Sequence, residues 1–144
     1  MKYVPQQRFQ VIREKTFKTE NKHIKGSEDA KVFFQQWFDE LEMDQEVFVV
    51  ATLDTKNKIT AIQIVTMGTL DASLVHPREA FRLAVFHNAS SVIVAHNHPS
   101  GDPTPSREDF QVTNRLTDAG KVLGIDVLDH IVVGDTSVSI REAA

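Results

Sequence analysis

The run Val47-Phe48-Val49-Val50-Ala51-Thr52-Leu53 limits the choice of fold more than any other stretch of the chain. A strand wetted on one face alternates apolar and polar residues, whereas this run carries a single hydroxyl and needs cover on both faces. It is therefore expected inside a sheet, with helices supplying the cover. Three helical patterns answer that need. Ser27, Glu28 and Asp29 make a helix start, after which Ala30, Phe33, Phe34, Trp37, Phe38 and Leu41 recur at helical spacing. His76-Pro77 opens a second helix with proline at its first position, turns Ala80, Phe81, Ala84 and Val85 toward the core, and ends near His87-Asn88. A third runs from Arg107 to about Ala119, buries Phe110, Val112, Leu116 and Ala119, and stops at Gly120.

Shorter strands complete the sheet. Asp54 to Lys58 is a turn, and Ile59 to Thr66 returns as a strand with Ile62 and Ile64 on one face, so the pair forms a hairpin. Residues 67–73 read as a loop. Val92-Ile93-Val94-Ala95 is a short apolar strand, Gly124 to Val133 another, and Ser137 to Ile140 alternates as a final one. The expected fold class is α/β, a mixed sheet of five or six strands flanked by about three helices.

A chain of 144 residues with 41% apolar and 25% charged residues suits one globular domain. Residues 1–26 are polar with a basic tint from Lys15, Lys18, Lys22 and Lys25, and Phe9-Gln10-Val11 hints at an edge strand. They read as an arm ahead of a domain spanning 27–144. No apolar stretch approaches the ~20 residues that cross a bilayer, and the start lacks a signal peptide's apolar segment, so the expected location is the cytoplasm without membrane contact. A net charge of −4 gives no footprint for nucleic acid, and the oligomeric state stays open. The absence of cysteine excludes disulfides and thiolate ligands, leaving histidine and carboxylates to hold any metal.

Those residue types cluster in one place. Strand geometry at the end of Val92–Ala95 sends His96 and His98 to one side and Asn97 away from them. Pro99 breaks the strand, and a loop leads to Ser106, which precedes Arg107, Glu108 and Asp109 as an N-cap would. Asp109 then lies in the first turn of a helix, from which a returning loop can set it beside the imidazoles. Two histidines and a carboxylate with an open fourth position are the ligand set of a catalytic zinc site. Three glutamates are candidate general bases: Glu46 at the start of the central strand, Glu79 just after Pro77, and Glu108 beside Asp109. His130, inside an apolar strand, reads as structural, as do His76 and His87.

The pattern His-x-His, seven residues, Ser, two residues, Asp fits His96, His98, Ser106 and Asp109 without a slip and resembles the JAMM motif of the JAB/MPN metallopeptidases. The text His-Asn-His-Pro-Ser-Gly, with Pro105-Ser106 and the later Leu128-Asp129-His130-Ile131-Val132-Val133-Gly134, is similar to the RadC-like branch of that family, and the similarity runs from about Ser27 to the C-terminus. The resemblance implies a JAB/MPN fold akin to the cytidine-deaminase layout. It also implies a zinc-dependent hydrolase of peptide or isopeptide bonds, with one zinc per chain and a peptide or protein substrate. The family's catalytic glutamate lies well upstream of His-x-His at a strand start, which implies Glu46, and the matching serine, Ser106, helps stabilise the oxyanion. Longer RadC proteins carry an N-terminal helix-hairpin-helix region for which the segment before Ser27 is too short. An accessory or scaffold protein of DNA repair is the alternative role. A hydrolytic deaminase is a weaker one, because zinc deaminases pair their histidine with cysteines.

Overall fold

The computed structural model describes residues 1–42, 44–68 and 75–143. Five strands, β1 (Val47–Leu53), β2 (Ile59–Met67), β3 (Ser91–Asn97), β4 (Asp126–Val133) and β5 (Ser137–Ser139), form one sheet in the order β2-β1-β3-β4-β5. Every residue of β1 is buried, and the strand is hydrogen-bonded on both sides, antiparallel to β2 and to β3. That is the position its unbroken apolar character required. β3 and β4 are parallel, so the chain must cross over between them, and it does so through α4 (Arg107–Leu123).

Each face of the sheet has its own cover. Alternation along the strands sends Val47, Val49, Ala51, Ile93, Ala95 and Ile131 against Phe33, Phe34, Trp37 and Phe38 of α1 (Ser27–Leu41). The opposite set, Phe48, Val50, Val92 and Val94, packs on Phe81, Ala84, Val112 and Leu116. Phe34 is fully buried, so truncating it to alanine should cost about 3–5 kcal/mol. Among the described residues, no helix is long and apolar enough to cross a membrane.

Several boundaries differ from expectation, each for a local reason. The second helix is two short pieces, α2 (Pro77–Ala80) and α3 (Arg82–Phe86), interrupted at Phe81 with φ −96° and ψ 0°. The interruption shifts the helical phase, and Val85 is 54% exposed instead of buried. α4 runs through Gly120 and ends at Gly124, whose φ of 75° makes the left-handed cap. Gly120 is there because the chain folds back onto it: a Cβ would overlap the Ile125 carbonyl oxygen. Phe110 and Ala119 are only half-buried. β3 reaches two residues past Ala95, β4 starts only at Asp126, and Ile140 opens a terminal turn, α5 (Ile140–Ala143), instead of closing a strand.

Phe9-Gln10-Val11 is exposed and makes no strand. The bridge to the start of β2 is made instead by His23, paired with Lys58. Of the expected loop at 67–73, Met67 closes β2, Gly68 bends away, and the remainder lies outside the described residues.

Candidate metal centre

His96 is set by the middle of the sheet, opposite Phe48 on β1 and Val132 on β4. The His98 N–H donates to the Val133 carbonyl at 2.8 Å, which continues the β3–β4 pairing one residue past the strand end. The loop beyond is tied down twice. Asp102 accepts from the Thr104 hydroxyl at 2.7 Å and its N–H at 3.0 Å, and that hydroxyl foremost holds the Asp102 carboxyl below the usual carboxylate range. The Gly101 carbonyl accepts from the Asp135 N–H at 2.7 Å, an approach so close that a Cβ on Gly134 would overlap the same oxygen.

The loop thereby returns to Ser106, the N-cap of α4. Its Oγ accepts from the Asp109 N–H at 3.2 Å, while Asp109 Oδ2 accepts from the Ser106 N–H at 2.7 Å, a complete capping box. The box orients the carboxylate without exhausting it. Asp109 Oδ1 lies 3.0 Å from His96 Nε2 and Oδ2 lies 3.3 Å from His98 Nε2, with the two imidazole nitrogens 3.1 Å apart. The three residues offer ligand atoms within 4.8 Å of one another and can hold a metal ion.

The electrostatics favour a cation at that point. Asp109 is 1% exposed, and burial pushes its carboxyl up, but the His96 imidazole and the Ser106 N–H outweigh this and leave it below the usual range, ionised. His98 Nδ1 lies 2.9 Å from the Asp102 carbonyl oxygen. A carbonyl only accepts, so Nδ1 carries a ring hydrogen and Nε2 is the nitrogen left to ligate. A carboxylate and two imidazole nitrogens grouped this tightly suit a cation between them.

Two residues that the sequence passed over complete the surroundings. His130 is fully buried, with Nε2 2.7 Å from His96 Nδ1 and Nδ1 2.7 Å from Thr113 Oγ1. Burial pushes its pKa well below the ordinary value, so the ring is neutral. It is structural, as read, but what it supports is a candidate ligand. The available signal was an imidazole in an otherwise apolar strand, since a buried polar ring needs partners. Phe48 walls both rings, stacked on His96 at 6.4 Å and edge-on to His130 at 5.7 Å.

Asn97 is the second. Its Oδ1 accepts from the Val47 N–H at 2.7 Å and its Nδ2 donates to the Gln45 carbonyl at 3.1 Å. These bonds bracket Glu46, whose own carbonyl accepts from the Gly68 N–H at 2.8 Å. The β1–β3 register pairs Phe48 with His96, and half-buried Glu46 lies two residues ahead of Phe48. Glu79 lies in the first turn of α2, and Glu108 is exposed on α4. Neither belongs to the three-ligand group. His76 precedes α2, and His87 is exposed with its ring against Phe86.

The family of the RadC-like JAB domain matches residues 24–144. The chain belongs to this family. Its mixed five-stranded sheet flanked by helices is the JAB/MPN arrangement. The chain is similar to a UPF0758 protein of Caldanaerobacter subterraneus subsp. tengcongensis, 54% identical over 101 residues that cover 69% of this chain and 43% of the relative. A UPF0758 protein of Clostridium perfringens is 49% identical over 126 residues, 86% of this chain and 54% of its own length. One from Methanosarcina mazei is 55% identical over 94 residues, 65% of this chain and 41% of its own. The chain thus spans about half the length of the curated relatives it matches.

Proposed function

We propose that this RadC-like JAB protein is a zinc-dependent hydrolase of peptide or isopeptide bonds acting in the cytoplasm. One observation carries the reading: a buried, ionised carboxylate and two imidazole nitrogens converge within 4.8 Å, the two-histidine, one-acid donor set of catalytic zinc sites. His96, His98 and Asp109 would hold the zinc ion, which when bound would supply a water acidified to a pKa of about 7. Glu46 would hold the proton lost by that water and hand it on to the departing amine as the amide bond breaks. Supporting this role, the backbone on both sides of Glu46 is pinned by Asn97, the residue between His96 and His98. Ser106 has its Oγ engaged as an acceptor from the Asp109 N–H, which fixes its hydroxyl beside the candidate ligands. From there the hydroxyl can donate to the oxyanion of the attacked carbonyl. Phe48 and the buried rings keep the site dry, which strengthens each of these charges.

The absence of cysteine disfavours the deaminase alternative, and a net charge of −4 disfavours a DNA-binding accessory. The test is a panel of peptide and isopeptide substrates offered to zinc-loaded protein and to Glu46→Gln. The substitution is nearly isosteric and touches no candidate ligand. It should keep the zinc and lose about 10²–10⁴-fold in turnover. Failure to cleave any member, or near-native turnover by Glu46→Gln, would overturn the reading.

A further inference from the structure

The hydrogens around His96 can be assigned by elimination from Thr113. Its Oγ1 lies 2.9 Å from the Asp109 carbonyl oxygen, one helical turn back, and 2.7 Å from His130 Nδ1. A hydroxyl has one hydrogen, and a carbonyl oxygen can only accept, so the hydrogen points to Asp109. The hydroxyl oxygen then accepts from His130 Nδ1–H. With that hydrogen placed, Nε2 is the nitrogen of this fully buried ring left to accept, and it lies 2.7 Å from His96 Nδ1 and accepts from it. His96 therefore carries its hydrogen on Nδ1 and turns the Nε2 lone pair toward Asp109 and His98.

We infer that His130 and Thr113 are positioning residues that hold His96 in the one tautomer able to ligate through Nε2. The inference rests on the zinc reading above and deepens it. The chain of hydrogen bonds begins on the main chain of one ligand, Asp109, and ends on the ring of another, His96, so two ligands of one ion are oriented by a single path. The reversed chain is the competing state. In it the hydroxyl donates to His130 Nδ1, His130 Nε2–H donates to His96, and the His96 hydrogen moves to Nε2, aimed at Asp109. That arrangement sets the hydroxyl oxygen against the Asp109 carbonyl oxygen at 2.9 Å with no hydrogen between them, and fills the ligand position with a proton. Partners of this kind, binding the far nitrogen of a ligating histidine, typically account for about 10- to 100-fold in metal affinity.

Zinc affinity, read by competition with a chromogenic chelator, tests this independently of any catalytic activity. His130→Phe keeps bulk and removes the acceptor, and should weaken zinc binding by about 10- to 100-fold. His130→Gln, whose Oε1 can accept from His96 Nδ1–H, should recover part of the loss. Thr113→Val should weaken binding and Thr113→Ser should restore it, a pair that serves even where His130→Phe fails to fold. Nitrogen-15 NMR of histidine-labelled, zinc-loaded protein should find the ring hydrogen of both His96 and His130 on Nδ1. Full zinc affinity in folded His130→Phe or Thr113→Val, or a His96 hydrogen on Nε2 of the zinc-loaded protein, would overturn the inference. A wild-type protein that binds no zinc would sink the zinc hydrolase reading itself, and one that binds zinc but cleaves nothing would sink that reading while leaving the His130–Thr113 path intact.

Discussion

Asp109 and Asp129 are almost equally hidden, 1% and 6% exposed, yet the groups around them are opposite in kind. Asp129, on β4, is surrounded by donors. The Ser139 hydroxyl straddles its oxygens at 2.8 and 2.7 Å, the Ser27 hydroxyl donates at 3.0 Å, and the N–H groups of His130 and Arg141 donate at 2.8 and 3.3 Å. These bonds tie α1, β4, β5 and the terminal turn together and leave the carboxylate satisfied. Asp109 has Ser106 alone as its donor residue outside the histidines, and faces imidazole nitrogens whose far sides are already engaged. A buried carboxylate satisfied by hydroxyl and backbone donors acts as a brace, and one set among imidazole nitrogens is a candidate ligand.

The sharpest way to break that contrast is to count zinc. Asp109→Asn and His96→Ala should lose the ion entirely, whereas Asp129→Asn should keep close to one per chain by elemental analysis after dialysis. Equal zinc in Asp109→Asn and wild type would erase the distinction.

The stability of the metal-free proteins should rank the other way. Asp129→Asn removes a charged acceptor from several donors and should cost about 2–3 kcal/mol in urea unfolding. Asp109→Asn, which can still accept from Ser106 N–H, should cost about 1 kcal/mol. A reversed order would show that Asp109 is the brace.

Asn97→Ala should leave zinc in place and lower turnover by roughly 10- to 100-fold, because it frees the backbone on both sides of Glu46. Unchanged kcat in that variant would detach Asn97 from the chemistry.

Acid should weaken the Asp109 side of the molecule through His130. Its folded pKa is depressed by burial, so the unfolded chain binds the proton more readily, and the contribution is complete above pH ~6.5 and fades as pH falls toward the folded value. Metal-free wild type should lose about 1.4 kcal/mol per pH unit from this residue below that point, and His130→Gln should show a correspondingly flatter profile. Parallel profiles would mean that His130 is charged in the folded protein.

The smallest effect belongs to the cap. Ser106→Ala should cost about 1 kcal/mol, and Ser106→Asp should recover the stability but not the turnover. Recovery of both would leave Ser106 a cap alone.

The three candidate ligands were legible because their spacing is local: a strand end sets two histidines side by side, and a capped helix start fixes the acid. The hairpin and the internal place of β1 followed from alternation and its absence. Helix ends were less legible, since Gly120 looks like a stop until Ile125 is seen folding back on it, and Val85 looks like core until the helix breaks at Phe81.

What the sequence by itself determined is which residues share a strand end or a helix turn, because those relations depend on a few backbone dihedrals and fixed periodicities. It could not decide which distant elements meet. Asn97 holds residues 45 and 47 because β3 lies antiparallel to β1, and His130 reaches His96 because β4 lies parallel to β3 with Val94 opposite it. Registers of that kind are settled by burying two different apolar faces at once, one under α1 and one under α4, and that condition is met only by the assembled sheet.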